Sequence, residues 1–292
     1  MKNKYVIMTD SCCDLDAAKV KELDLEVVPL SYDLEGKTHT NDPEKMTNAV
    51  LHHFYEKMRE GSSPKTTQVN PHSFKERLMK HLERGSDVMY LGFSSALSGT
   101  YQSFCIAAKE LKEKFPKRNI IAIDTLSASL GQGLLATYAS KNRDSGMDLN
   151  KNANWCEKSK LKIAHYFTID DLSTLRRGGR LSHGKALVAS VLMIKPMLHM
   201  DDEGRLVPIG RAYGRKKALE SLVAGIEKNI VNPHDQEIYI SHGDCLDEAE
   251  EVAKMIKEQY KPKNIYINMV GPVIGSHSGP GTISVFYMAT GR

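Results

Sequence analysis

The side chains able to do chemistry gather in four parts of this chain, each near the end of a strand-like run. Thr9-Asp10-Ser11-Cys12-Cys13-Asp14-Leu15 follows residues 5–8, and Ser94-Ser95-Ala96-Leu97-Ser98-Gly99-Thr100-Tyr101 follows residues 88–93. Between them Lys65-Thr66-Thr67-Gln68 reads as a loop before Pro71. The fourth part is a pair: Leu175-Arg176-Arg177-Gly178-Gly179-Arg180-Leu181-Ser182, and a Gly-rich turn over 271–282 that holds His277. Ligands of open α/β sheets bind at the carboxyl ends of strands, so this clustering points to a small-molecule site.

Each part has a chemical and a plain reading. In the first, Ser11 or Asp14 either caps a helix or meets a ligand. Thr66 and Thr67 offer adjacent hydroxyls to a carboxylate or phosphate, or form an ordinary loop. The helix after Ser98 presents unpaired N–H groups that favour an anion. Ser95, Ser98 and Thr100 add hydroxyls there, with simple capping as the alternative. Arg176, Arg177 and Arg180 attract phosphate or lie solvated. His277 is a ligand contact or a structural histidine.

Composition narrows the choice. Forty basic against 36 acidic residues give a net charge of +4, too balanced to imply nucleic-acid binding. No apolar run approaches the roughly 20 residues of a membrane span. The apolar run at the N-terminus stops at Thr9, too early for a signal sequence, so a cytoplasmic location is expected. Five cysteines, Cys12 and Cys13 adjacent and the others far apart, with no C-x-x-C pair, fit neither a disulfide framework nor zinc. No P-loop, H-E-x-x-H or G-x-S-x-G motif is present. Gly131-Gln132-Gly133 mimics a dinucleotide fingerprint, but it sits in or near a helix and lacks a supporting acid. No cofactor is implied.

These residues must be positioned by the elements around them. Up to about residue 160 strands at 5–8, 25–30, 88–93 and 120–123 alternate with helices at 14–22, 43–59, 71–83 and one from about 101. That order predicts βαβ units and a mainly parallel sheet. The second helix is expected to open at Pro43 with Asp42 as its cap. Composition shifts over 145–154, and the domain junction is placed near 160. The expected fold class is α/β with two domains, an N-terminal mainly parallel α/β domain over 1–160 and a C-terminal mixed α+β domain over 161–292. The second half reads as a strand at 164–168, a helix at 183–193, a hairpin around Asp201-Asp202-Glu203-Gly204, then helices at 215–230 and 246–259. Strands at 237–241, 264–269 and 283–288 complete it.

Taken in order, the polar segments resemble the DegV family, which includes the fatty-acid-binding subunits of bacterial fatty acid kinase. The likeness spans essentially the whole chain. It rests on Thr9-Asp10-Ser11 with Asp14-Leu15, on Ser94 to Ser103, on Leu175 to Arg180, and on Gly275-Ser276-His277-Ser278-Gly279-Pro280-Gly281-Thr282. The resemblance implies a ligand lying between the domains or within the second, with an acyl tail in an apolar tunnel. It assigns the carboxylate to Thr66 and Ser98 and brings Arg176, Arg177 and His277 near the head group. Thr67 and Ser95 belong to the same matched segments. Where the family commonly reads Thr-Ser-Gln-Pro this chain has Thr66-Thr67-Gln68-Val69, and the family's Thr after Gly-Ser-His is Ser278.

The function so implied is binding of a long-chain fatty acid and presentation of its carboxylate to a partner kinase subunit. That partner binds ATP and makes acyl phosphate for phospholipid synthesis, and the exchange of lipid permits transient membrane contact. The carrier itself has no independent catalysis. The alternative is a stand-alone hydrolase or phosphotransferase using Ser98 and His277. Ala186, Leu187, Val188, Val191, Leu192, Met193 and Ile194 are too apolar for a surface helix, and read either as core or as tunnel lining.

Overall fold

The computed structural model describes residues 5–181 and 193–292. Its elements run β1 (Tyr5–Asp10), α1 (Ala17–Glu22), β2 (Leu25–Val28), β3 (Ser31–Leu34), β4 (Lys37–Thr40), α2 (Asn48–Arg59), β5 (Lys65–Thr67), α3 (Pro71–Glu83), β6 (Asp87–Gly92), α4 (Thr100–Lys114), β7 (Ile120–Asp124), α5 (Leu130–Asp144) and α6 (Leu149–Ser159). They continue as β8 (Ile163–Thr168), α7 (Ser173–Arg177), β9 (Ile194–Met200), β10 (Leu206–Tyr213), α8 (Arg215–Ile226), β11 (Glu237–His242), α9 (Leu246–Tyr260), β12 (Asn264–Met269), α10 (Pro272–Ser278) and β13 (Ile283–Met288).

The first domain is a parallel sheet in the order β2–β1–β6–β7. On one face α3 and α4 press Phe74, Tyr90 and Phe104 into a ring cluster. Helix α3 starts where Asn70 accepts a bond from Ser73 N (2.9 Å) and Pro71 takes the first helical position. Its apolar spacing then buries Phe74, Leu78 and Leu82. The second domain is a mixed sheet in the order β10–β9–β8–β13–β11–β12, antiparallel except for β11 with β12. The hairpin expected around Asp201 is β9–β10, with Asp201 Oδ1 accepting from Glu203 N and Arg205 N across its tip.

Helix α5 joins the two halves. It packs against β1 and β6 on one side and β8, β11 and β13 on the other, so its residues are buried nearly all round. Tyr239 and Phe286 of the second sheet share a core with Ile7 and Leu91 of the first and with Leu134 of α5. The Gly131-Gln132-Gly133 stretch has its explanation here: a Cβ on Gly131 would collide with the His165 ring, so the glycine serves helix–sheet contact.

Several local readings are corrected. Helix α2 opens at Asn48, not Pro43. Asp42 instead holds a turn, accepting Glu44 N on its side chain and Lys45 N on its carbonyl, and Thr47 caps the helix. Helix α1 opens at Ala17 because Asp14 takes a left-handed φ of 51° and Asp16 Oδ1 caps Lys19 N. Residues 65–67 are an edge strand, not a loop: β5 pairs with β3 in a small antiparallel sheet that places Thr66 opposite Tyr32. The Gly-rich turn contains helix α10, with Pro272 at its start. The helix expected over 183–193 lies, apart from Met193, outside the described residues.

Candidate functional site

Three elements converge on one polar cavity of about 270 Å³. Strand β5 brings Thr66 and Thr67, the turn after β6 brings Leu97 and Ser98, and α10 brings Ile274 and His277. The first two are locked together through Gln68. Its side chain lies across Gly99, where a Cβ would collide with it, and its Nε2 donates to Ser103 Oγ (3.2 Å) on α4. Ser98 Oγ accepts from Thr100 N (3.3 Å) and lies 3.0 Å from Thr100 Oγ1, so it both starts α4 and faces the cavity.

His277 Nε2 sits 2.9 Å from Thr66 Oγ1, while its Nδ1 is buried without a partner. Burial, and then the positive charge of Arg180, push the imidazole down from 6.5 to about 4, so it is neutral at physiological pH. A proton on Nε2 leaves only a lone pair unsatisfied at Nδ1, which avoids an orphaned N–H. In that tautomer His277 donates to Thr66 Oγ1, and the Thr66 hydroxyl proton is turned outward for a ligand oxygen. Arg180 is fixed beside them by Nε to Leu97 O (3.1 Å) and Nη1 to Gly178 O (2.5 Å).

Behind this cavity lies a narrow apolar one. Its volume is about 70 Å³. Phe93, Leu97, Arg180, Ile274 and His277 line both. The inner walls come from Phe167, Leu175, Met200, Leu206 and Phe286. An anion held at the polar end would therefore have an apolar wall directly beside it.

The expected residues separate cleanly. Thr66, Thr67, Ser98 and His277 line the polar cavity. Ser95 is exposed, donates its N–H to Asp124 Oδ1 (3.2 Å), and lines neither space. Arg176 and Arg177, expected near the head group, are also exposed and line neither. Helix α7 is the cause: it turns Thr174 and Leu175 inward, so the next two side chains point out. Gly179, at φ 66°, then reverses the chain and returns Arg180 to the cavity. Residues 186–192 of the apolar run lie outside the described residues, and Met193 is exposed. The described lining comes instead from single residues on many elements, a pattern without sequence periodicity.

The Thr9 to Leu15 segment serves as framework. Asp10 Oδ2 accepts from Tyr90 Oη (2.7 Å) and Phe93 N (2.9 Å), and Oδ1 from Cys12 N (3.1 Å). Asp14 accepts from Ser129 Oγ (2.6 Å) and Gly271 N (3.0 Å), tying the first domain to the start of α10. Burial raises the Asp14 carboxyl from 3.8 to about 8. Among the described residues no cluster of His, Cys, Asp and Glu could hold a metal, and no helix is long and apolar enough to cross a membrane.

The sequence profile of the DegV family matches residues 4–290. The chain belongs to the DegV family. A DegV domain-containing protein of Clostridium perfringens is 45% identical over 285 residues, 98% of this chain and 97% of its own. Among solved structures, a DegV lipid binding protein of Thermotoga maritima superposes with a TM-score of 0.86 at 28% identity, covering 99% of each chain. A DegV family protein of Thermus thermophilus, described by its fatty acid binding, gives a TM-score of 0.86 at 30% identity over 98% of this chain and 99% of its own. The chain thus has an α/β architecture of one parallel sheet, one mixed sheet and the small antiparallel sheet β4–β3–β5.

Proposed function

We propose that this protein binds a long-chain fatty acid, its carboxylate at Thr66 and Ser98 and its tail in the apolar cavity. The observation that carries the reading is the shared wall: the same five residues bound a polar space rich in donors and a narrow hydrocarbon-lined one. The fatty acid binding described for the Thermus thermophilus relative supports it.

The physics divides the work. Burying a tail of about 14 methylenes is worth a gross ~11 kcal/mol at ~0.8 kcal/mol each. Association and ordering offset much of that. A carboxylate buried without partners would be costly, so the polar end must supply donors. The Thr66 hydroxyl, oriented by His277, and Ser98 do so, with Arg180 adding charge. Arg176 and Arg177 are left on the outside, beside the site.

The reading extends to a reaction on a partner. A carboxylate oxygen of the bound acid attacks the γ-phosphorus of ATP held by a separate kinase subunit, ADP leaves, and an acyl phosphate forms. Thr67 and Gln68 are exposed beside the carboxylate position, which supports access from outside. A stand-alone hydrolase is less well supported. Ser98 Oγ is engaged with Thr100 and His277 Nε2 with Thr66, so nucleophile and base are not paired.

Titration of stearic acid into delipidated protein tests the binding reading. A single saturable site, weakened about fivefold in the Thr66→Ala, Ser98→Ala double variant, is expected. Equal affinity of the two proteins would place the carboxylate elsewhere.

A further inference from the structure

Two adjacent glycines follow α7, and they are glycines for different reasons. Gly179 takes a φ of 66°, and a Cβ there would meet open space among the described residues. Its requirement is conformational. Gly178 has φ −72° and ψ −11°, a right-handed helical conformation open to any residue with a side chain. Its N–H donates to Thr174 O (3.0 Å), as in an ordinary last turn. What excludes a side chain there is His277. A Cβ on Gly178 would lie 2.1 Å from Nδ1, 3.0 Å from Cε1 and 3.2 Å from Cγ of the imidazole.

The His277 ring is thus held at both of its nitrogens. Nε2 lies 2.9 Å from Thr66 Oγ1, and Nδ1, which has no partner among the described residues, packs on the bare backbone of Gly178. An added methyl would meet the body of the ring, which has no slack of the kind a long flexible side chain has, so the imidazole would have to leave its place against Thr66. The same residue serves the neighbouring cation: Gly178 O accepts from Arg180 Nη1 (2.5 Å). Both His277 and Arg180 line the polar cavity. One residue at the end of α7 therefore fixes two side chains from different parts of the chain.

We propose that Gly178 is a positioning residue of the polar cavity: by lacking a side chain it seats His277 against Thr66, with its carbonyl it holds Arg180, and the pair so placed selects an acidic head group over an uncharged one on the same hydrocarbon. This rests on the fatty-acid reading and deepens it. It also gives the Arg-Arg-Gly-Gly-Arg stretch a task at the site that its two exposed arginines do not perform.

The test is competition binding of stearic acid and of 1-octadecanol to the delipidated full chain, in wild type, Gly178→Ala, His277→Ala and the double variant. Gly178→Ala should weaken binding of the acid about fivefold and of the alcohol by less than about twofold. With the ring already removed by His277→Ala, adding Gly178→Ala should change acid affinity by less than about twofold. A second readout needs no lipid. In nitrogen-15 NMR of the histidines, with His277 assigned by its loss in His277→Gln, its titration should move up from about 4 toward 6.5 in Gly178→Ala as the ring leaves its buried place. Equal losses for acid and alcohol, the same loss with and without the His277 ring, or an unmoved His277 titration would each overturn the proposal. Should Gly178→Ala alone fail to fold, the double variant decides: a folded protein with the acid affinity of His277→Ala supports the proposal, and an unfolded one overturns it. Failure of the wild type to bind stearic acid removes the fatty-acid reading and the head-group selection with it, whereas the NMR titration still tests whether Gly178 seats His277.

Discussion

Two turns leave neighbouring strands of the same parallel sheet, use the same residue types, and come to opposite ends. At the end of β1 and just beyond it, Thr9, Asp10, Ser11 and Asp14 are at most 5% exposed, and each spends its side chain on a protein partner. After β6, Ser95 is exposed and Ser98 turns its hydroxyl toward a cavity. The difference lies above the strand ends. The β1 turn is sealed by Leu30, Asn41, Ser129 and Gly271, which consume its donors and acceptors. The β6 turn is met by β5 and α10, held at a distance by the Gln68 and His277 contacts. Residue type marks a polar strand end; the neighbouring element decides whether the polar groups hold the frame or the ligand.

The strongest way to break this contrast is Asp10→Ala. It would strand Tyr90 Oη, Phe93 N and Cys12 N in the core, and a loss of about 3 kcal/mol or more in urea unfolding is expected. A loss below about 1 kcal/mol would make the two turns equivalent. The Thr66→Ala, Ser98→Ala double variant should do the reverse. Its thermal midpoint should stay within about 3 °C of wild type while its lipid affinity falls.

The two regions also differ in the sign of their pH dependence. Asp14 is held at about 8 against an ordinary 3.8, so the folded chain keeps a proton the unfolded chain gives up. Its contribution to stability is whole below pH 3.8 and is lost as pH rises to about 8. His277 is held at about 4 against 6.5, so its contribution is whole above pH 6.5 and is lost as pH falls to about 4. Asp14→Asn should remove the fall in stability as pH rises from 3.8 to about 8, and His277→Gln the fall as pH drops from 6.5 to about 4. Urea midpoints measured across pH would show profiles crossing the other way if these environments were exchanged. The smallest effect on binding is expected from Arg176→Ala and Arg177→Ala. Lipid affinity should change by less than about twofold, with any larger loss appearing only in transfer to the proposed kinase partner. A matched loss of both would return these side chains to the carboxylate.

The sequence made much of this legible, and its silences have physical causes. Helix α3 could be read to its ends because Asn70, Pro71 and the Phe74, Leu78, Leu82 spacing all agree. The hydroxyls of Thr66 and Ser98 stood out because no core needs them. Strands β3 and β4 were missed: each has only four residues, and β4 is exposed throughout, so it carries no apolar alternation. Arg180 could not be told from Arg176 and Arg177, since the choice depends on where a five-residue helix stops and a glycine turns. The apolar wall was invisible for a similar reason. Phe93, Phe167, Leu175, Met200, Leu206 and Phe286 meet only after two sheets and a hairpin are assembled.

The central claim is that one chain encloses one long-chain acid. Denaturing mass spectrometry of organic extracts from the purified protein, quantified against protein concentration, tests it most directly. About one equivalent of fatty acid per chain, reduced in the Thr66→Ala, Ser98→Ala variant, is the predicted result. An extract without acid, from a protein that also fails to take up added acid, would contradict it.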